Sequence, residues 1–207
     1  MKGLMIKDIF ALKTQGKILL ALLVFYAVYS IVFQNPSMLA AMIILLCIML
    51  PMTTMAYDEK SKWDKYALSM PIQRRTIVLS KYCFAIIAEL LGVVIVGVLG
   101  GVIVFFTGEM EIRELLIMTL ALGGVGLFLL AVILPILFKF GIEKARFIVL
   151  LVFFIPSMVA MMLPRLGLEP PSLETIKLLG YASPLIVIGM LLLSMKASIG
   201  IYNRKEF

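Results

Sequence analysis

From Ile18 to Tyr57 the chain runs 40 residues without one charged side chain. A hydrocarbon core about 30 Å thick is crossed by roughly 20 residues of α-helix, so this run fits two spans. Gln34-Asn35-Pro36 is its polar interruption and the place for a tight turn. Four more runs follow: 83–106, in which Glu89 is the sole charge, then 115–138, 147–163 and 178–195. The alternation of barrel strands is missing from them. Backbone N–H and C=O groups in lipid must therefore be satisfied within each segment, which means helices. With 63% hydrophobic residues, 15% charged and a mean hydropathy of +1.13, the chain lies well outside the soluble range of about 45–50% apolar.

The expected fold is an all-α polytopic membrane protein with six transmembrane helices, over about 18–34, 38–57, 80–106, 115–138, 146–163 and 178–200. They form one domain, 1–207, with short connections and no soluble module. Orientation follows from the cations. If the N-terminus is inside, sixteen of the nineteen Lys and Arg residues fall on inner segments. Only Arg113, Arg165 and Lys177 remain outside, among five glutamates. That distribution places both termini in the cytoplasm, in agreement with an even span count. The net charge of +7 is then topology, and no basic soluble face with aromatics suggests nucleic acid. Lys17 is followed by an apolar run to Phe33 without a small-residue cleavage site, so the first span is expected to stay in the protein.

Several chemistries are excluded or disfavoured. There is no histidine, which removes histidine-based catalysis and most transition-metal sites. Cys47 and Cys83 form no CxxC or ligand spacing and read as packing residues. Gly16-Lys17 is preceded by Ala11 where a phosphate-binding loop needs its first glycine. No metal or nucleotide site is expected in this chain.

The polar exception is 57–81, YDEKSKWDKYALSMPIQRRTIVLSK, which holds nine of the 31 charges and the only tryptophan. Trp63, Tyr66, Ala67 and Met70 recur at helical spacing, and Lys62, Asp64, Lys65 and Ser69 take the opposite face. A short amphipathic helix over 60–70 results, ended by Pro71. Periodicity leaves its use open between an aromatic interfacial anchor and a helix presented to a soluble partner. Ahead of the first span, residues 1–17 place Met5, Ile6, Ile9, Phe10 and Leu12 on one arc and Lys7, Asp8 and Thr14 on another. This fits either an interfacial helix or a plain start to the first span.

The letters from Asp58-Glu59 through Lys62-Trp63-Asp64-Lys65-Tyr66-Ala67-Leu68-Ser69-Met70-Pro71 to Arg74-Arg75-Thr76-Ile77-Val78-Leu79-Ser80-Lys81-Tyr82 resemble the cytoplasmic loop of small ABC-2 type transporter permeases. So does the closing Ile201-Tyr202-Asn203-Arg204-Lys205-Glu206-Phe207. The layout is similar over the whole chain, most of all to membrane subunits that export amphipathic peptides such as phenol-soluble modulins. This resemblance implies the ABC-2 exporter (type V) fold in a bacterial cytoplasmic membrane. It implies half of a dimeric translocation pathway, completed by a second permease chain as homodimer or heterodimer and driven by two copies of a separate ABC ATPase that binds ATP and Mg. The helix over 60–70 would then be the coupling helix, with Glu59, Lys62, Trp63, Asp64, Lys65, Tyr66 and Met70 at the ATPase contact. Asp58 and Glu59 also suit capping at the water boundary.

Glu89 lies eight residues past Lys81, about 12 Å along a helix, where exposure to lipid is costly. Two readings stay open: a carboxylate lining the translocation cavity, or a structural, protonated acid. Gly97 and Gly101 form a small-xxx-small pair and Gly123, Gly124 and Gly126 cluster in the next span, which suggests close packing of adjacent helices. Pro51, Pro135 and Pro156 suggest kinks. The segment 164–184 is the longest outer connection; Ser172 there suits a cap for a lid helix through Leu173, Ile176 and Leu179, or else the segment is a loop. Two other classes fit the outline, the substrate-binding membrane subunit of a vitamin importer and a six-span lipid-modifying enzyme. The island's letters disfavour the first. Asp8, Asp58 and Asp64, which do not cluster in sequence, disfavour the second.

Overall fold

A computed structural model describes residues 2–33, 35–108, 110–162 and 173–205. They form helices: α1 (Lys2–Lys13), α2 (Gly16–Val32), α3 (Pro36–Lys60), α4 (Trp63–Ser69), α5 (Arg74–Thr107), α6 (Ile112–Met162) and α7 (Leu173–Asn203). The turn between α2 and α3 forms where expected. Pro36 opens α3 with φ already set for a helix, and the Asn35 side chain accepts the Met38 N–H at 3.3 Å. Gly108 ends α5 in the left-handed region at φ 68°, its N–H donating to Val104 O.

Four helices are each long and apolar enough to cross a bilayer, and α1 with α2, bent by 69°, make a possible fifth span. The expectation of six differs for two physical reasons. Seventeen residues of α2 rise only about 25 Å. The expected fourth and fifth spans, with the inner segment between them, run on as α6, 51 residues in which two helices meet across a kink and therefore count as one. Its one non-helical residue is Gly141, at φ 74° and ψ 174°, a conformation that a side chain would strain. Beyond it the helix comes back along α3. Val149 and Leu150 line the same cavity as Leu45 and Met49, a level that Ile133 also reaches from before the break.

Helix α3 continues through Pro51 and α6 through Pro135, so a glycine makes the sharp break and these prolines do not. The core lies between α3, α5, α6 and α7, where Ile48, Val78, Tyr82, Leu134 and Tyr202 are buried together. Lipid tails are as apolar as leucine, so this packing rests on close fit more than on expulsion of water. Glycines set that fit, though not the expected pair. Gly97, Gly101 and Gly124 have nothing within 4 Å of where a Cβ would stand. The close approaches are Gly92 on Cys47, Gly100 on Leu115, Gly123 on Val93 and Gly126 on Glu89.

Helix α1 shows which way its two arcs face. Ile6, Ile9 and Phe10 point outward and are more than half exposed, while Asp8 is completely buried. The apolar face is left for lipid and the polar face is turned into the protein. Ser172 and the rest of 164–172 lie outside the described residues; Leu173, Ile176 and Leu179 belong to the first turns of α7.

Candidate functional site

The chemistry of the molecule is concentrated at one end of the bundle, where α3 ends, α5 begins, α7 ends and α1 lies across them. Lys81 of α5 is the hub. Its ammonium meets Asp8 of α1 at 2.7 Å and Asp58 of α3 at 2.6 Å, and it lies 3.5 Å from the Thr54 hydroxyl. Lys7 bridges the same carboxylates, Asp58 at 2.5 Å and Asp8 at 3.3 Å. Two cations and two anions thus compensate one another in a site that water barely reaches, with Lys81 and Asp8 almost wholly covered. Desolvating such groups is expensive, so their pairing must be complete to be tolerated. Asp8 Oδ2 nevertheless has no hydrogen-bond partner.

The expected amphipathic helix is present as α4, shorter than 60–70. Helix α3 extends through Lys60, and Lys62 separates the two helices with φ 53°, the only positive φ on a non-glycine residue among those described. At the other end Met70 is extended at ψ 157°. Trp63, Ala67 and Met70 face the bundle, as the periodicity suggests, but Tyr66 does not; it is 62% exposed. The Trp63 ring lies under Lys7 Nζ, 4.5 Å from its centroid. Trp63, Met70, Pro71 and Thr76 line a cavity of about 580 Å³ that Leu4 and Lys7 of α1 complete.

Asp64 departs from its expected polar face. It accepts the Tyr202 hydroxyl at 2.9 Å, which ties α4 to the end of α7. Arg74 Nη1 donates to the carbonyls of Tyr202, Asn203 and Lys205 at 3.3, 2.7 and 3.2 Å. It neutralises the negative end of α7. Glu59 is directed away from α4, toward α6, where it accepts the Ile142 N–H at 2.7 Å just past the Gly141 break. Its carboxylate acts as the N-cap of the returning limb. Of the seven residues expected at an ATPase contact, Lys62, Lys65 and Tyr66 are exposed, Trp63, Asp64 and Met70 are partly covered by the bundle, and Glu59 is engaged with α6.

Deeper in the bundle, Glu89 is fully buried and neither carboxylate oxygen has a partner. It lies against Gly126, near Ile44, and a Cβ at position 126 would occupy its place. Among the described residues it is enclosed by packed helices. Tyr82, which carried no signal in the sequence beyond a buried aromatic, meets the hydroxyls of Ser194 and Ser198 at 2.6 and 2.7 Å, and Ser194 donates onward to Ala131 O at 2.5 Å. That network joins α5, α6 and α7. The Asp8–Lys81 pair was equally invisible, because no local pattern links residues 73 positions apart.

The site is thus a buried ionic hub bound to a short helix whose outer side, with Lys62, Lys65 and Tyr66, is exposed. No curated protein and no solved structure matches the chain. The profile of the ABC-2 family transporter proteins matches residues 3–203. The chain belongs to the ABC-2 family of transporter membrane proteins.

Proposed function

We propose that this membrane component of an ABC-2 transporter is the permease subunit of an ATP-driven exporter, and that α4 is its coupling helix. Permeases of this family generally pair with ABC ATPase subunits and are typically non-catalytic. The observation that carries the proposal is α4 itself. It presents Lys62, Lys65 and Tyr66 to solvent while Trp63 and Asp64 are bound to α1 and α7. A docked ATPase would bind the outer face and move the inner one. ATP and Mg would be held by that partner.

Six crossings, with the lysine-rich end in the cytoplasm of a bacterial cell, are part of the same reading. Helix α1 and the end of α7 meet at the α4 end of the bundle, so the chain between them crosses an even number of times. Counting the bent α1–α2 pair as one crossing, with α3, α5, the two limbs of α6 and α7, the number is six. The open α5 face that holds Gly97 and Gly101, beside the exposed Phe105 and Phe106, suits a second permease chain. An amphipathic peptide or other hydrophobic cargo is the expected substrate, on the likeness of the island to peptide-exporter permeases.

The test is capture of a co-expressed ABC ATPase by the tagged full-length chain. Tyr66→Ala with Lys65→Glu is expected to lower capture by on the order of ten-fold, as loss of an interface anchor does, with the thermal midpoint of the permease unchanged. Undiminished capture would remove α4 from the contact.

A further inference from the structure

Beside the returning limb of α6 runs a groove of about 630 Å³, within the range of small-molecule sites. One wall is α3, from Leu45 through Met49 and Met52 to Lys60; the other is α6, with Val149, Leu150 and Arg146. Its two ends differ in chemistry. Toward Leu45 it is lined by apolar side chains, and Leu45, Met49 and Leu150 are open to the surroundings at 42%, 58% and 53%. Toward α1 it collects Gln15, Tyr57, Lys60 and Arg146, with Gln15 Nε2 donating to the Tyr57 hydroxyl at 3.3 Å.

Charge and length identify the occupant. Among the described residues no acidic side chain lines the groove. Glu59, next in sequence to Lys60, is turned away to the Ile142 N–H. Among the described residues neither Lys60 nor Arg146 has an ion-pair partner. Two unneutralised cations at the edge of a membrane bundle, with an apolar channel leading from them, form the kind of site that binds anionic lipid headgroups. Fifteen helical residues separate Leu45 from Lys60, about 22 Å. That is the depth of one leaflet's hydrocarbon, roughly 15 Å, plus its headgroup layer, and it is too short for a molecule spanning both leaflets.

We propose that the α3–α6 groove binds one anionic glycerophospholipid of the adjacent leaflet, its phosphate held by Lys60 and Arg146 and an acyl chain lying along Leu45, Met49 and Leu150. The lipid would cover the apolar wall that Gly141 creates by turning α6 back, and would bridge the end of α3 to the returning limb. This does not depend on what the transporter carries.

The experiment uses the full-length chain purified in a neutral detergent, offered equal amounts of phosphatidylglycerol and phosphatidylcholine and read by native mass spectrometry. The expected result is one retained phosphatidylglycerol per chain, with a preference on the order of ten-fold over phosphatidylcholine. Lys60→Gln with Arg146→Gln should abolish the preference. Lys60→Arg with Arg146→Lys should keep it, as should Lys196→Gln, which removes an exposed cation on α7. Equal retention of the two lipids by the wild type, or an unchanged preference in the double glutamine variant, overturns the proposal. So does a dimer that retains no lipid, because the groove would then be closed by a second copy.

Discussion

Glu89 fits between helices because residue 126 carries no side chain. An alanine methyl would be driven into the carboxyl group and up against Ile44, and the fully buried Glu89 side chain would have to be displaced among packed helices. Gly126→Ala should therefore destabilise the protein by about 1–3 kcal/mol, the usual cost of overpacking. Gly97→Ala and Gly101→Ala, which meet open space within the single chain, should stay within about 0.5 kcal/mol for the monomer. Thermal unfolding of the three variants in one detergent checks this, and equal shifts would contradict it. That Glu89 should avoid lipid was legible from its depth alone. Which glycines faced inward was not: in water an apolar stripe marks the inner face, whereas here both faces are apolar and the sequence carries no contrast to read.

At the scale of elements, α1 is fastened to α3 and α5 by charges. Removing the Lys81 ammonium would leave Asp8 and Asp58 in a covered site with Lys7 alone, which is itself a quarter exposed. Lys81→Met is expected to cost about 3–5 kcal/mol, and adding Asp8→Asn with Asp58→Asn to restore part of it. The measurement is again the thermal midpoint, supplemented by protease sensitivity of α1; a triple variant no better than Lys81→Met would assign the loss to packing. The helices themselves were legible because hydrocarbon thickness sets their length, and α4 because its periodicity contrasts with its polar surroundings. The break at Gly141 was hidden among Lys139, Lys144 and Arg146, which read as an ordinary inner connection although the structure turns there with a single residue. Tyr66 and Asp64 exchanged their expected sides because Tyr202, far along the chain, offers Asp64 a hydroxyl.

For the whole molecule, the arrangement predicts which positions share a side. Ser61→Cys, beside α4, and Glu111→Cys, ahead of α6, lie at opposite ends of helices that cross the bilayer. In intact cells a membrane-impermeant maleimide should label position 111 and leave position 61 unmodified until the membrane is opened. The opposite pattern would invert the orientation; labelling of both would break the span count.

The two backbone breaks that flank α4, the left-handed Lys62 and the extended Met70, have a mechanical consequence. A seven-residue rod jointed at both ends cannot thrust along the polypeptide. A load on it would leave sideways, through Ala67 in the core, the indole under Lys7 and the carboxylate on Tyr202, and so would reach the first and last helices of the chain along with α3.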